Sequence, residues 1–92
     1  MLTLPIKKIW FDMILSGEKK EEYRNITPYY TTRFYNIVGT DNKLTVKLQN
    51  GYSKNAPFII INASLSIGCG KPEWGAEPNI EYYILSIIDI KE

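Results

Sequence analysis

Helical apolar spacing near the N-terminus, followed by runs of alternating and β-branched residues, predicts an α+β fold with a curled, mainly antiparallel sheet and two helices. Three observations carry this expectation. An apolar stripe ends on Gly17, Thr27-Pro28 opens a second helical segment, and three strand-like runs fill the half of the chain after Gly39. A chain of 92 residues is one domain, spanning 1–92, and at this size folding buries roughly 60 to 65% of the surface that the unfolded chain exposes.

Leu2-Thr3-Leu4 is expected to form a short strand stopped by Pro5. Ile6, Ile9, Trp10, Met13 and Ile14 then recur at helical spacing and lay one apolar stripe along a helix that ends at Ser16, with Gly17 as its C-terminal cap. Trp10 and Met13 read here as core residues. Lys7 and Lys8 occupy the first turn, where the helix dipole disfavours cations; such local inconsistencies gather at functional sites, although two solvated lysines on a tolerant surface are the simpler account.

From Lys19 to Arg24 the period changes to two. Tyr23 and the apolar stem of Lys19 share one face, and Lys20, Glu22 and Arg24 share the other. Thr27 is an N-cap and Pro28 a first helical residue, which opens a short helix through Tyr29, Tyr30, Arg33 and Phe34. Lys43 to Gln49 alternates polar and apolar side chains, as a half-buried strand does. Asn50-Gly51 is the strongest hairpin signal in the chain. Pro57 to Ile67 and Glu81 to Ile90 complete five strands, enough for a small, partly open barrel.

The apolar fraction of 45% and charged fraction of 23% are those of an ordinary globular protein. No apolar run reaches the roughly 20 residues that a membrane-spanning helix needs. The N-terminus lacks a basic stretch followed by an apolar run, so a cytoplasmic protein is expected. The single cysteine, Cys69, is expected to be buried as a small apolar residue. With no histidine and one cysteine, the chain lacks the ligand set of a structural zinc site and the residues of Ser-His-Asp or Cys-His catalysis. No metal or cofactor is expected, and any chemistry must run on Lys, Glu, Asp, Tyr, Ser or Thr.

Net charge is +1. Residues 1–54 hold nine basic and five acidic side chains, +4, and residues 55–92 hold two basic and five acidic, −3. That asymmetry permits one positive face, although it is far from the footprint of a dedicated polyanion binder.

The most informative segment runs from Gly17 to Arg24, with the spacing Gly17-x-Lys19-x-x-Glu22-x-Arg24. As plain charges, Glu22 and Arg24 share a strand face and can form a surface ion pair. In spacing and in the order of flanking elements the segment resembles the signature of ASCH domains, which have a PUA-like fold. The loop Gly70-Lys71-Pro72-Glu73-Trp74-Gly75-Ala76-Glu77-Pro78, followed by Tyr82-Tyr83-Ile84, is similar to short phage-type and Gram-positive members, so the resemblance covers nearly the whole chain. It implies a PUA-like, mainly antiparallel small barrel with two short helices, and a cleft beside the motif that binds RNA or a nucleotide-like ligand.

Under that resemblance Lys19 and Arg24 meet phosphate, Glu22 orients Arg24 or accepts from a base amino group, and Gly17 has a structural role. Tyr29, Tyr30 and Trp74 offer faces on which a base can stack, although Tyr and Trp at such positions more often pack a core. An enzymatic branch of the family removes an acyl group from a modified cytidine with a lysine, a threonine and a glutamate. Lys19 matches, the threonine position is Glu22, and the carboxylate would have to be Glu73 or Glu77. The catalytic candidates are therefore Lys19, Glu22 and Glu73. A protein-interaction module is the third alternative, because fold does not fix function.

Overall fold

The computed structural model describes residues 1–91. Strand β1 (Thr3–Ile6) leads into helix α1 (Lys8–Ser16), and strand β2 (Glu21–Asn25) into helix α2 (Pro28–Tyr35). Strands β3 (Lys43–Asn50), β4 (Phe58–Cys69) and β5 (Glu81–Lys91) follow, with a short 3₁₀ turn, η1 (Pro72–Trp74), between the last two. The five strands form one mixed sheet of order β1-β3-β4-β5-β2. Among the described residues only β1 and β3 pair in parallel. The sheet is a curled half-barrel rather than a closed one, because β1 and β2 are its edges and share no backbone ladder.

Pro5 does not stop the first strand. At the sheet's edge its missing N–H leaves no ladder bond unmade on the β3 side, and the parallel pairing runs on to Ile6, opposite Asn50. The helix consequently starts at Lys8 and its buried face is rotated from the expected stripe: Phe11 and Ile14 are buried, Trp10 and Met13 half-buried, and Ile9 is 59% exposed. A helix of nine residues is too short for spacing alone to fix its phase.

Gly17 caps α1 as expected. It takes the left-handed conformation at φ 85°, and its N–H donates to the Ile14 carbonyl. The Lys19 N–H then returns to the Met13 carbonyl at 3.0 Å, so Lys19 wraps the helix end and precedes β2, which begins at Glu21 and not at Lys19 as expected. The Thr27 side chain accepts from the Tyr30 N–H with Pro28 in the first turn, and α2 presses Phe34, fully buried, into the core.

Asn50-Gly51 does not make a two-residue turn. The Gly51 N–H donates to the Ile6 carbonyl at 3.0 Å and the Asn50 N–H to the Pro57 carbonyl at 2.8 Å, so the chain stays with β1 for one more residue and the connection to β4 spans residues 51–57. Strand β4 bends at a bulge between Asn62 and Ala63, a device that curls a sheet. Cys69, at its far end, is exposed and not buried.

One face of the sheet carries the main core of Leu4, Phe11, Ile14, Phe34, Val46, Leu48, Ile61, Tyr83 and Leu85. Tyr23, Tyr82, Ile84 and Ala76 form a smaller cluster on the opposite face, with Trp74 against it. No helix among the described residues is long and apolar enough to cross a membrane.

Candidate functional site at the sheet seam

Alternation along β2 sends Glu22 and Arg24 toward one face and Glu21 and Tyr23 toward the other. Glu22 is opposite Leu85 and Arg24 opposite Tyr83, both main-core residues, so the charged pair sits at the rim of the principal core. Glu22 is 5% exposed and Lys19 2%. Burial of this kind removes the surface-pair reading, because buried charges must be paired to persist.

The pairing is complete. Lys19 Nζ donates to Glu22 Oε1 and to the Glu21 carbonyl, each at 2.6 Å, and lies over the rings of Tyr23 and Trp10 at 5.1 and 5.4 Å. The other Glu22 oxygen, Oε2, accepts from Arg24 Nη1 at 2.5 Å. Arg24 continues to the Tyr23 carbonyl through Nη1 and to the Pro5 carbonyl through Nη2, at 2.7 and 2.8 Å. Glu22 therefore joins two cations, and the chain of contacts crosses from the end of α1 to β1. Burial holds the Lys19 ammonium below its ordinary pKa of 10.5; the Glu22 carboxylate opposes that shift and the Arg24 charge adds to it.

A cavity of about 480 Å³ opens at this seam, inside the size range of small-molecule sites. Arg24 and Glu22 line it from β2, Trp10 with Lys7 and Lys8 from α1, and Tyr30 from α2. Pro5 and Ile6 line it from β1, Gly51 and Tyr52 from the β3–β4 connection, and Trp74 and Gly75 from the end of η1.

Trp74 reaches the cavity because its loop is pinned to the back of β2 and β5. Tyr23 Oη accepts the Lys71 N–H at 2.9 Å and donates to Glu21 Oε1 at 2.7 Å, and Tyr82 Oη accepts the Glu77 N–H at 3.0 Å. Gly70 is required by contact, since a Cβ there would lie 2.6 Å from the Tyr23 ring. Gly75, at φ +102°, brings the loop against Trp10, where a Cβ would meet the indole at 3.1 Å.

Comparison with protein-family models, curated proteins and solved structures finds no match.

Of the residues singled out from sequence, Lys19, Glu22 and Arg24 form one connected unit, and Arg24, Glu22, Tyr30 and Trp74 line the cavity. Lys19 does not line it; its ammonium is consumed beneath Glu22, so it positions the carboxylate rather than meeting a phosphate. Tyr29 also lies off the lining, with its ring edge-on to Tyr30 at 5.0 Å and the Arg33 guanidinium 4.1 Å from its centroid. Glu73 and Glu77 are exposed on the loop and outside the lining.

Trp10 and Tyr52 were not legible as site residues. Trp10 sits in a helical apolar pattern that looks like core, and Tyr52 follows an Asn-Gly turn signal. Yet Trp10 forms a cavity wall and Tyr52, 89% exposed, stands at the mouth. The paired lysines against the α1 dipole were the one signal pointing here.

Proposed function

We propose that this chain is an ASCH-type, PUA-like domain that binds RNA or a nucleotide-like ligand in the seam cavity. The observation that carries the proposal is the coincidence, in one cavity, of a guanidinium held by Glu22 and Pro5 with the aromatic rings of Trp10, Tyr30, Tyr52 and Trp74. A fixed cation beside aromatic faces matches the two recurring parts of a nucleotide, a phosphate and a flat base. The half-barrel with two helices and the Gly17 cap leading to Lys19, Glu22 and Arg24 support the family reading.

The test is binding of fluorescently labelled single-stranded RNA and of free nucleotides to wild type, Arg24→Ala and Lys91→Ala. Arg24→Ala should weaken binding more than about tenfold through loss of a charge-assisted contact, with Lys91→Ala near wild type. Equal losses in both variants, or binding undiminished at several hundred millimolar salt, would reject phosphate contacts as the main attraction.

The depressed pKa of buried Lys19 favours one further reading, an amidohydrolase acting on an acylated nucleoside with Lys19 as base. Against it stand a carboxylate at Glu22 in place of a hydroxyl nucleophile, and a lysine that does not reach the cavity. The expected result is no release of cytidine from N4-acetylcytidine. Release that disappears in Lys19→Ala would bring the enzyme reading forward.

A further inference from the structure

We infer that the seam cavity accepts one nucleotide and selects it by a terminal phosphomonoester; this rests on the nucleotide-binding reading above and narrows it. Charge comes first. Lys19, Glu22 and Arg24 are two cations and one anion locked together, so the unit keeps one positive charge, and Arg24, which lines the cavity, is the part of it a ligand can reach. Lys7 adds a second positive charge at the wall, exposed and without an ion pair among the described residues. The first turn of α1 opens on the same space with no acidic residue and no capping side chain, and contributes a helix-end charge of about +0.5.

That sum suits a dianion. A phosphomonoester carries about −1.5 to −2 at neutral pH, whereas the internal phosphodiester of a strand carries one charge. Size and surroundings agree with the choice. A volume of about 480 Å³ suits a small ligand, and a strand-tracking groove needs basic side chains along several nucleotides, whereas the cations at this lining are Lys7, Arg24 and a Lys8 already paired with Asp12. Trp10 and Trp74, both at the lining, provide walls for a single base.

Both tryptophans of the chain line the cavity, so intrinsic fluorescence of the full chain reports its occupation. The probes are the four nucleoside 5′-monophosphates, the four nucleosides, and a short single-stranded RNA with either a 5′-phosphate or a 5′-hydroxyl. Monophosphates are expected to bind roughly tenfold or more tighter than nucleosides. Lys7→Ala, on an exposed residue that leaves the fold intact, should narrow that gap, as should Arg24→Gln.

If 5′-phosphorylated RNA matches the free monophosphate, the ligand is a strand end; if only the free monophosphate binds, it is a small molecule. Either result supports the inference. Tighter binding of 5′-hydroxyl RNA than of monophosphate, growing with length, would overturn it while leaving the RNA-binding reading standing. Failure of every probe to bind would overturn both.

Discussion

Arg24 donates through Nη2 to the carbonyl of Pro5 at 2.8 Å, and these two residues belong to β2 and β1, the opposite edges of the sheet. One side chain thus links the two edges of the half-barrel, which share no backbone ladder. Because the guanidinium also holds Glu22, this link and the construction of the cavity depend on the same group. Arg24→Ala should therefore lower stability by about 1.5–3 kcal/mol, the range for hydrogen bonds to charged groups, measured by urea unfolding. Stability unchanged within error would mean that the guanidinium does not hold the seam.

Lys19 is the buried end of the same chain of contacts. Removing it leaves Glu22 buried with half its compensation, and breaking a buried ion pair costs about 3–5 kcal/mol. Lys19→Ala should show a loss of that order in chemical denaturation. Lys19→Met combined with Glu22→Gln should recover part of it, because the unpaired charge is then gone and residues in one network are not additive. Equal destabilisation by the single and the double variant would show that the unpaired Glu22 charge does not set the cost, since methionine also restores most of the packing of the lysine stem.

Alkaline pH acts on two neighbours with opposite signs. Burial, with the Glu21 hydrogen bond, pushes the Tyr23 phenol well above its ordinary pKa of 10.0. The stability this contributes is fully present below pH 10 and is lost as pH rises from there toward the raised folded value, because the unfolded chain ionises first. Lys19 works the other way. Its lowered pKa is a cost present below that value and relieved as pH climbs toward 10.5. Tyr23→Phe should remove the alkaline loss, so that its unfolding midpoint falls less than that of wild type between pH 9 and pH 11. Parallel curves for the two proteins would locate the alkaline sensitivity elsewhere.

Gly70 tests how Trp74 is delivered to the cavity. Its missing Cβ is the space occupied by the Tyr23 ring, and overpacking of this kind costs typically about 1–3 kcal/mol. Gly70→Ala should lower the thermal midpoint and change the Trp74 fluorescence, whereas Gly68→Ala, where a Cβ would meet only the end of Ile84 at 3.4 Å, should do neither to a comparable degree. A thermal midpoint unchanged by Gly70→Ala would mean that the loop is not seated on Tyr23.

What could be read from sequence was what local energetics determine. The Gly17 cap, the Thr27-Pro28 helix start and the alternation of β3 each depend on a few adjacent residues, and each falls where the pattern puts it. The motif residues were legible as a unit by spacing. Their division of labour was not, because Lys19 is turned inward by the Met13 carbonyl and by two rings that approach from α1 and β2. For the same reason Trp10 looked like core: its pattern is helical, and only the curl of the sheet, set in part by the β4 bulge, decides that its helix faces an opening. Asn50-Gly51 does mark the turn between the antiparallel β3 and β4, but the length of that connection was not legible, because the bond from Gly51 to Ile6 involves a strand more than 40 residues away in sequence.

Amide and indole N–H shifts of the ¹⁵N-labelled chain, followed by NMR during titration with uridine 5′-monophosphate, test the binding claim most directly. The expected perturbations gather on the indoles of Trp10 and Trp74, the Arg24 side chain and the Gly51–Tyr52 amides, the residues brought together at the seam. The separate hollow lined by Asp41, Asn62 and Asp89 should stay silent. Perturbations centred on that hollow, or none at millimolar nucleotide, would contradict a nucleotide site between β1 and β2.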